Sequence, residues 1–400
     1  MTDVRALHEW VRGHRAQMID DLAACTGLET PSTDRLLLEA GLSWLDGWLR
    51  ARLGEPSAVR VTKGGPFGDV RVYDYAGSDA APVLLLCHYD TVWPPGTLAH
   101  WPFTVDGDRA TGPGVFDMKA GLVQAVWALR ALDAAGLPRP PVRLLLNGDE
   151  EIGSPVSRPV IESAASGVRA ALVFEAAAGG AVKTARKGVG IYRVTTTGVA
   201  AHAGLDPAKG ASAVDEIARV VLALHGLTDP AAGTTVNVGV ISGGTRGNVI
   251  AGSASGEVDV RVSTAAEAGR IEAALAALTA ADPRATVTVT GGWNRPVMER
   301  SAGIAELFTL ARGLAAQLGV PLRECAVGGA SDGNFVAALG VPVLDGLGAV
   351  GDGAHARHEH VSVAGMLERT ALAAAVLTEL DGPAGAHPPS RKARPRGESR

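Results

Sequence analysis

Three apolar runs in this chain end in a histidine or an acid, and that punctuation constrains the fold more than any other feature. Val83-Leu84-Leu85-Leu86-Cys87 runs into His88-Tyr89-Asp90, Leu144-Leu145-Leu146 into Asp149-Glu150-Glu151, and Leu172-Val173-Phe174 into Glu175. A Gly112-Pro113-Gly114 turn delivers a further carboxylate, Asp117, just before a helical stretch. Short continuous apolar runs of this kind read as buried strands. In open α/β sheets ligands bind outside the carboxyl ends of the strands, so these clusters point to one polar site. With His355 added, two imidazoles and several carboxylates make a ligand set for a pair of divalent ions, zinc foremost.

Spacing along the chain predicts its organisation. At 400 residues it exceeds a comfortable single core, so two domains are expected. Residues 1–53 read as two helices, with Leu45, Trp48 and Leu49 recurring at helical spacing. Strands are expected at 58–61, 70–75, 83–87, 142–146 and 171–174, with helices at 118–135 and 160–165. That alternation is typical of a mostly parallel, helix-flanked sheet. After Lys183 the order becomes strand 191–197, helix 211–224, strands 235–241 and 255–262, helix 265–278 and strand 286–290. This is the β-α-β-β-α-β order of a ferredoxin-like α+β unit. The α/β pattern resumes with a helix at 304–318, a strand at 341–344 and a helix at 364–380. The expected division is therefore 1–183 and 297–382 as one domain and 184–296 as an insert. The tail 383–400, rich in Pro, Gly, Ser and Arg, is expected to be disordered.

At these residues the chain resembles the M20 family of zinc aminopeptidases, carboxypeptidases and deacylases, most closely its glutamate carboxypeptidase branch. The resemblance is carried by His88-Tyr89-Asp90-Thr91-Val92, Gly112-Pro113-Gly114 through Asp117-Met118-Lys119, Asp149-Glu150-Glu151-Ile152-Gly153-Ser154, Phe174-Glu175, Ala201-His202-Ala203-Gly204, and His355 with Glu359. It implies two Zn²⁺ per chain, with Co²⁺ or Mn²⁺ as substitutes, bridged by Asp117. His88 and Glu175 complete one site, Glu151 and His355 the other. It also implies a cis peptide after Asp117 and a supporting part for Glu359. Asp90, two residues after His88, can hold the second imidazole nitrogen. The resemblance makes Glu150 the general base; spacing alone cannot decide between Glu150 and Glu151. It gives His202 an oxyanion-stabilising part in a partner subunit's site, which implies a homodimer through the insert, acting also as a lid. Asn248, Arg261, Arg295 and the Gly329 backbone match substrate-contacting positions, and a planar guanidinium suits a substrate carboxylate.

Taken together, these features lead us to expect a di-zinc hydrolase cleaving an amide or peptide bond next to a free carboxylate, on an N-acyl amino acid or short peptide. An N-acyl-amino-acid deacylase of the acetylornithine or aminoacylase type uses the same chemistry and differs in pocket shape. A non-catalytic binding relative is expected to have lost Glu150 or a ligand, and none is missing. A serine hydrolase is disfavoured because no Gly-x-Ser-x-Gly elbow is present. Net charge of -5 and pI near 6.1 argue against nucleic acid as a partner. No apolar run is long enough to span a bilayer, and three unpaired-looking cysteines (Cys25, Cys87, Cys325) fit a reducing cytoplasm.

Overall fold

The computed structural model describes residues 2–382, so the expectation for the tail falls outside the described residues. The chain divides into two compact units. One comprises residues up to Val182, Ser301–Glu324 and the part from Leu339 onward; the other comprises Lys183–Arg300 and Cys325–Ala338.

The first unit is built on a six-stranded sheet. Its order is Ala58–Thr62, Val70–Tyr75, Val142–Asn147, Val83–His88, Ala170–Val173 and Val343–Leu344. Val83–His88 runs parallel to both neighbours and Val343–Leu344 parallel to Ala170–Val173, while the first two strands pair antiparallel at one edge. The sheet is therefore mostly parallel, on a mixed α/β framework. Every residue of Val83–His88 is buried, as its unbroken apolar run requires. Each fully buried Leu in it contributes roughly 1.5–3 kcal/mol. The Ala120–Ala135 helix is buried almost all round, around Trp127, and ends at a left-handed Gly136 (φ 62°).

Three differences from the sequence reading concern this unit and its neighbour. Residues 1–53 form three helices, Val4–Gly13, Arg15–Thr26 and Arg35–Leu53, instead of two. The extra break falls at His14, whose ring stacks on Trp10 at 3.9 Å and whose Nδ1 lies 2.8 Å from the Trp10 carbonyl oxygen. A small sheet of Thr104–Asp106, Arg109–Thr111, Gly351–Asp352 and His360–Ser362 was not expected, its strands being too short to show a period. The hairpin between the last two carries His355 and Glu359. Finally, Cys325–Ala338, expected in the first domain, belongs to the second unit. There Lys187 N donates to Val327 O at 3.1 Å, and Asn334 Nδ2 donates to Lys187 O and Pro296 O at 3.1 and 2.7 Å. Its glycine-rich turn has no apolar period to reveal which body it docks on.

The second unit has its own core. Gly188–Thr197, Ala213–His225, Thr235–Gly243, Ser253–Val262, Ala265–Ala276 and Thr286–Arg295 follow in β-α-β-β-α-β order. The sheet runs Thr235–Gly243, Ser253–Val262, Gly188–Thr197, Thr286–Arg295, with all pairs antiparallel. Ala213–His225 buries Ala213, Ile217, Val220 and Leu224, one helical stripe, against it. Ser212 caps that helix by accepting from Asp215 N at 3.2 Å. Among the described residues no helix is long and apolar enough to cross a membrane.

Candidate metal centre

Strand register gathers the ligand candidates at one edge of the first unit. His88 is the last residue of its strand and stands opposite Asn147, so Asp149-Glu150-Glu151 leave beside it. Leu86 stands opposite Val173 on the other side, which brings Glu175 out at the same level. Asp117 arrives from a turn that a left-handed Gly114 (φ 73°) opens, a conformation costly for any residue with a Cβ. The Asp117–Met118 peptide is cis, as the resemblance implied.

The resulting geometry is a chain of carboxylates and imidazoles that share Asp117. His88 Nε2 lies 3.2 Å from Asp117 Oδ1 and 3.4 Å from Glu175 Oε1. His355 Nε2 lies 3.4 Å from Asp117 Oδ2 and 2.9 Å from Glu151 Oε2. Each oxygen of Asp117 thus faces a different imidazole, and each imidazole has a second carboxylate of its own. Glu150 offers a carboxylate oxygen within 4.8 Å of ligand atoms of both His88 and Glu175. His355 reaches the cluster from a strained backbone, φ 61° on a residue that is not glycine.

Buried groups hold this cluster from behind. Asp90, 1% exposed, faces His88 Nδ1 with its backbone carbonyl at 3.1 Å and its carboxylate at 3.3 Å, and the carboxylate accepts from Glu150 N at 3.3 Å and Glu151 N at 3.2 Å. Ser32 donates at 2.7 Å to Oδ2, the oxygen that also accepts from Glu151 N. Glu359 is fully buried and accepts four hydrogen bonds. Those from Phe116 N and Asp117 N measure 2.8 and 3.1 Å, and those from Gly114 N and Trp93 Nε1 both 3.0 Å. It therefore fixes the turn that aims Asp117. The Glu175 carbonyl accepts from Gly348 N at 3.0 Å, and a Cβ on Gly348 would meet the Phe174 carbonyl oxygen at 2.1 Å. Sequence reasoning missed Ser32, Trp93 and Gly348, each distant in the chain and of ordinary local appearance.

Electrostatics show what the cluster lacks. Burial disfavours a charge on His88, yet hydrogen bonds to Asp117, Asp90 and Glu175 outweigh it and hold its pKa well above the usual value. Hydrogen bonds to Asp117 and Glu151 raise His355 to about 10. Burial likewise works against the Asp117 charge, but the two imidazoles beside it keep its carboxyl below the usual range. Burial pushes Glu151 up to about 7, and its Oε1 is a buried acceptor without a hydrogen-bond partner. An orphaned carboxylate oxygen among converging acids is what a divalent cation satisfies. The donor set, imidazole nitrogen with carboxylate oxygen, suits zinc.

The remaining candidates lie on the second unit. His202 and Asn248 are neighbours there: Ala201-His202 pairs with Val249-Ile250, and Ala203 N donates to Asn248 O at 2.9 Å. Both are exposed, and His202 Nδ1 accepts from Gly204 N and Leu205 N at 3.2 and 3.1 Å. Arg261 forks onto Asp259 at 2.9 Å and remains partly exposed. Arg295 is the most enclosed of these residues. It is 3% exposed, pairs with Asp332 at 3.0 Å and lies over the Phe335 ring at 4.5 Å, so it ties the glycine-rich turn to the sheet. The Gly329 carbonyl in that turn accepts from Arg186 Nη1 at 3.1 Å.

Comparison with known proteins accords with this layout. Residues 84–379 match the model of peptidase family M20/M25/M40. The chain is 30% identical to carboxypeptidase G2 of a Pseudomonas species over 373 residues, 91% of this chain and 89% of that one. Among solved structures, a tripeptidase from Staphylococcus aureus superposes with a TM-score of 0.76 at 18% identity, covering 92% of this chain and 98% of its own. An M20 family metallo-carboxypeptidase from Sulfolobus solfataricus gives 0.66 at 16% identity, with 91% and 99% covered. The chain therefore belongs to the M20 peptidase family and is a metal-dependent hydrolase.

Proposed function

We propose that this chain is a two-metal amidohydrolase that cleaves an amide or peptide bond adjacent to a free carboxylate, a C-terminal glutamate or similar residue being the favoured class. One observation carries the reading: the two oxygens of Asp117 face two different imidazoles at 3.2 and 3.4 Å, each flanked by its own second carboxylate. Asp117, His88 and Glu175 would hold one divalent ion and Asp117, His355 and Glu151 the other. Zinc is the favoured ion, with cobalt or manganese as substitutes. Ions so held would acidify a water and polarise the scissile carbonyl.

The chain's own residues do the rest. Glu150 takes the proton of the attacking water and returns it to the leaving nitrogen. Its position supports this: its backbone is tethered to Asp90, and its carboxylate stands within 4.8 Å of ligand atoms of His88 and Glu175. Asp90 holds the His88 imidazole by Nδ1 and so leaves Nε2 for the ion. On the second unit, His202 donates to the developing oxyanion, while Asn248, Arg261, Arg295 and the Gly329 backbone contact substrate. His202 does so in the site of a partner chain, within a homodimer formed through this unit. In support, the edge strand Thr235–Gly243 exposes Val240 (54%) and Ile241 (53%), and the adjoining helix exposes Leu222 (75%). Similarity to carboxypeptidase G2 along most of both chains favours carboxypeptidase action over N-acyl-amino-acid deacylation. A hydrolysis screen over N-acyl amino acids and dipeptides, with and without added Zn²⁺, tests the reading. Zn²⁺-dependent release of a C-terminal glutamate or similar residue is expected, and no turnover on any such amide would overturn it.

A further inference from the structure

We propose that Ser32 is a positioning residue of the metal centre and acts through Asp90. This inference rests on the two-metal reading. Asp90 is buried, and of its contacts the hydroxyl of Ser32 is the shortest, at 2.7 Å, against 3.2 and 3.3 Å for the Glu151 and Glu150 amides and 3.3 Å to His88 Nδ1. Ser32 itself is 3% exposed and 58 residues away in sequence.

The segment that bears Ser32 is docked along the exit of the His88 strand. Pro31 bridges Thr91 in parallel register, Thr91 N donates to Thr30 O at 2.8 Å, and Ser32 N donates to Thr91 O at 3.2 Å. The hydroxyl of Thr30 donates to Tyr89 O at 2.6 Å, so two hydroxyls of one segment have different tasks. Thr30 fastens backbone. Ser32 has the Thr91 carbonyl at 3.3 Å but the Asp90 carboxylate nearer, at 2.7 Å, so its proton goes to a buried carboxylate whose other partners are one imidazole and two peptide N–H groups.

That donor does two things. It fixes the rotation of the carboxylate, because Oδ2 would otherwise be held by the Glu151 amide alone. It also keeps the Asp90 carboxylate 3.3 Å from His88 Nδ1, beside the Asp90 backbone carbonyl at 3.1 Å, and the two acceptors together set the tautomer that leaves Nε2 free. Because the same carboxylate receives the Glu150 and Glu151 amides, the hydroxyl indirectly orients a proposed ligand and the proposed base together. Losses of outer partners of this kind cost about 10–100-fold in metal affinity.

The test compares full-length wild type with Ser32→Ala, Ser32→Thr and Thr30→Val, titrated with Zn²⁺ against a competing chelator and assayed on a Zn²⁺-dependent substrate of the wild type. Ser32→Cys, similar in size and a weak donor, stands in should the alanine variant unfold. Ser32→Ala is expected to weaken one Zn²⁺ about 10–100-fold and to lower kcat at limiting metal with KM unchanged. Ser32→Thr restores both, and Thr30→Val lowers the melting temperature while leaving Zn²⁺ affinity at the wild-type level. Wild-type affinity for both ions in Ser32→Ala, or equal weakening by Thr30→Val, overturns the inference while leaving the two-metal reading intact. A wild type that takes up no Zn²⁺ overturns both.

Discussion

The two units hold their candidate residues in opposite ways. In the first, His88, Asp90 and Glu359 are buried, and each carboxylate behind the cluster accepts several hydrogen bonds. In the second, His202 and Asn248 sit exposed on a two-stranded ribbon whose strands are two residues long, and Arg261 has only its neighbour Asp259 as an ion-pair partner among the described residues. The difference is physical. Acids crowded around two imidazoles repel one another and lose hydration, so their positions must be enforced before any ion arrives. Groups that meet a substrate face no such penalty and can be ordered on binding.

Four experiments can break or sharpen that contrast. Glu150→Gln should keep full Zn²⁺ content and lose about 10²–10⁴-fold in turnover, since the amide cannot take a proton at neutral pH. Retained turnover would assign the proton to another group. His202→Ala should slow turnover about 10²–10³-fold, again with Zn²⁺ content unchanged. Mixing it with Glu150→Gln subunits should recover part of the activity, because one site in each mixed dimer combines both intact residues. No recovery after verified subunit exchange would confine His202 to its own chain.

Glu359→Gln should act differently, lowering Zn²⁺ affinity about 10–100-fold by freeing the Asp117 turn. A chelator competition checks this, and unchanged affinity would reduce Glu359 to a packing group. The mildest effect concerns pH. In the metal-free protein, against the effect of burial, the hydrogen bonds to Asp117, Asp90 and Glu175 raise the His88 pKa, and those to Asp117 and Glu151 raise His355 to about 10, so that His355 is protonated at neutral pH. Zn²⁺ requires the neutral imidazole, so uptake displaces protons and the apparent affinity rises with pH, by up to about tenfold per unit for each proton released. Calorimetry in buffers of different ionisation enthalpy should show proton release at about pH 8.5, where Glu151, at about 7, is already ionised, and none should be seen there if the imidazoles are not ligands.

Much of the first unit was legible in the sequence. Val83–His88 and Ala170–Val173 are unbroken apolar runs, and each hands over to a His or an acid at the point where the sheet ends. The second unit's order was legible too, because its strands alternate: Gly188–Thr197 buries Val194 and Thr196 and exposes Arg193 and Thr197. What the sequence could not reveal depends on contacts across long separations. Nothing local marks Ser32 or Trp93, whose hydrogen bonds reach Asp90 and Glu359 over 58 and 266 residues. Arg295 shows the same limit: nothing local marks Asp332, the carboxylate of its own chain with which it pairs at 3.0 Å. The Gly351–Asp352 and His360–Ser362 strands escaped because two or three residues cannot display a period.

Zinc titration of the full-length protein, paired with Asp117→Ala, bears most directly on the shared carboxylate. Two tightly bound ions per wild-type chain are expected, and the substitution should weaken both at once, because each oxygen of Asp117 serves one of them. A single ion in the wild type, or loss of only one ion from the variant, would contradict a bridging Asp117.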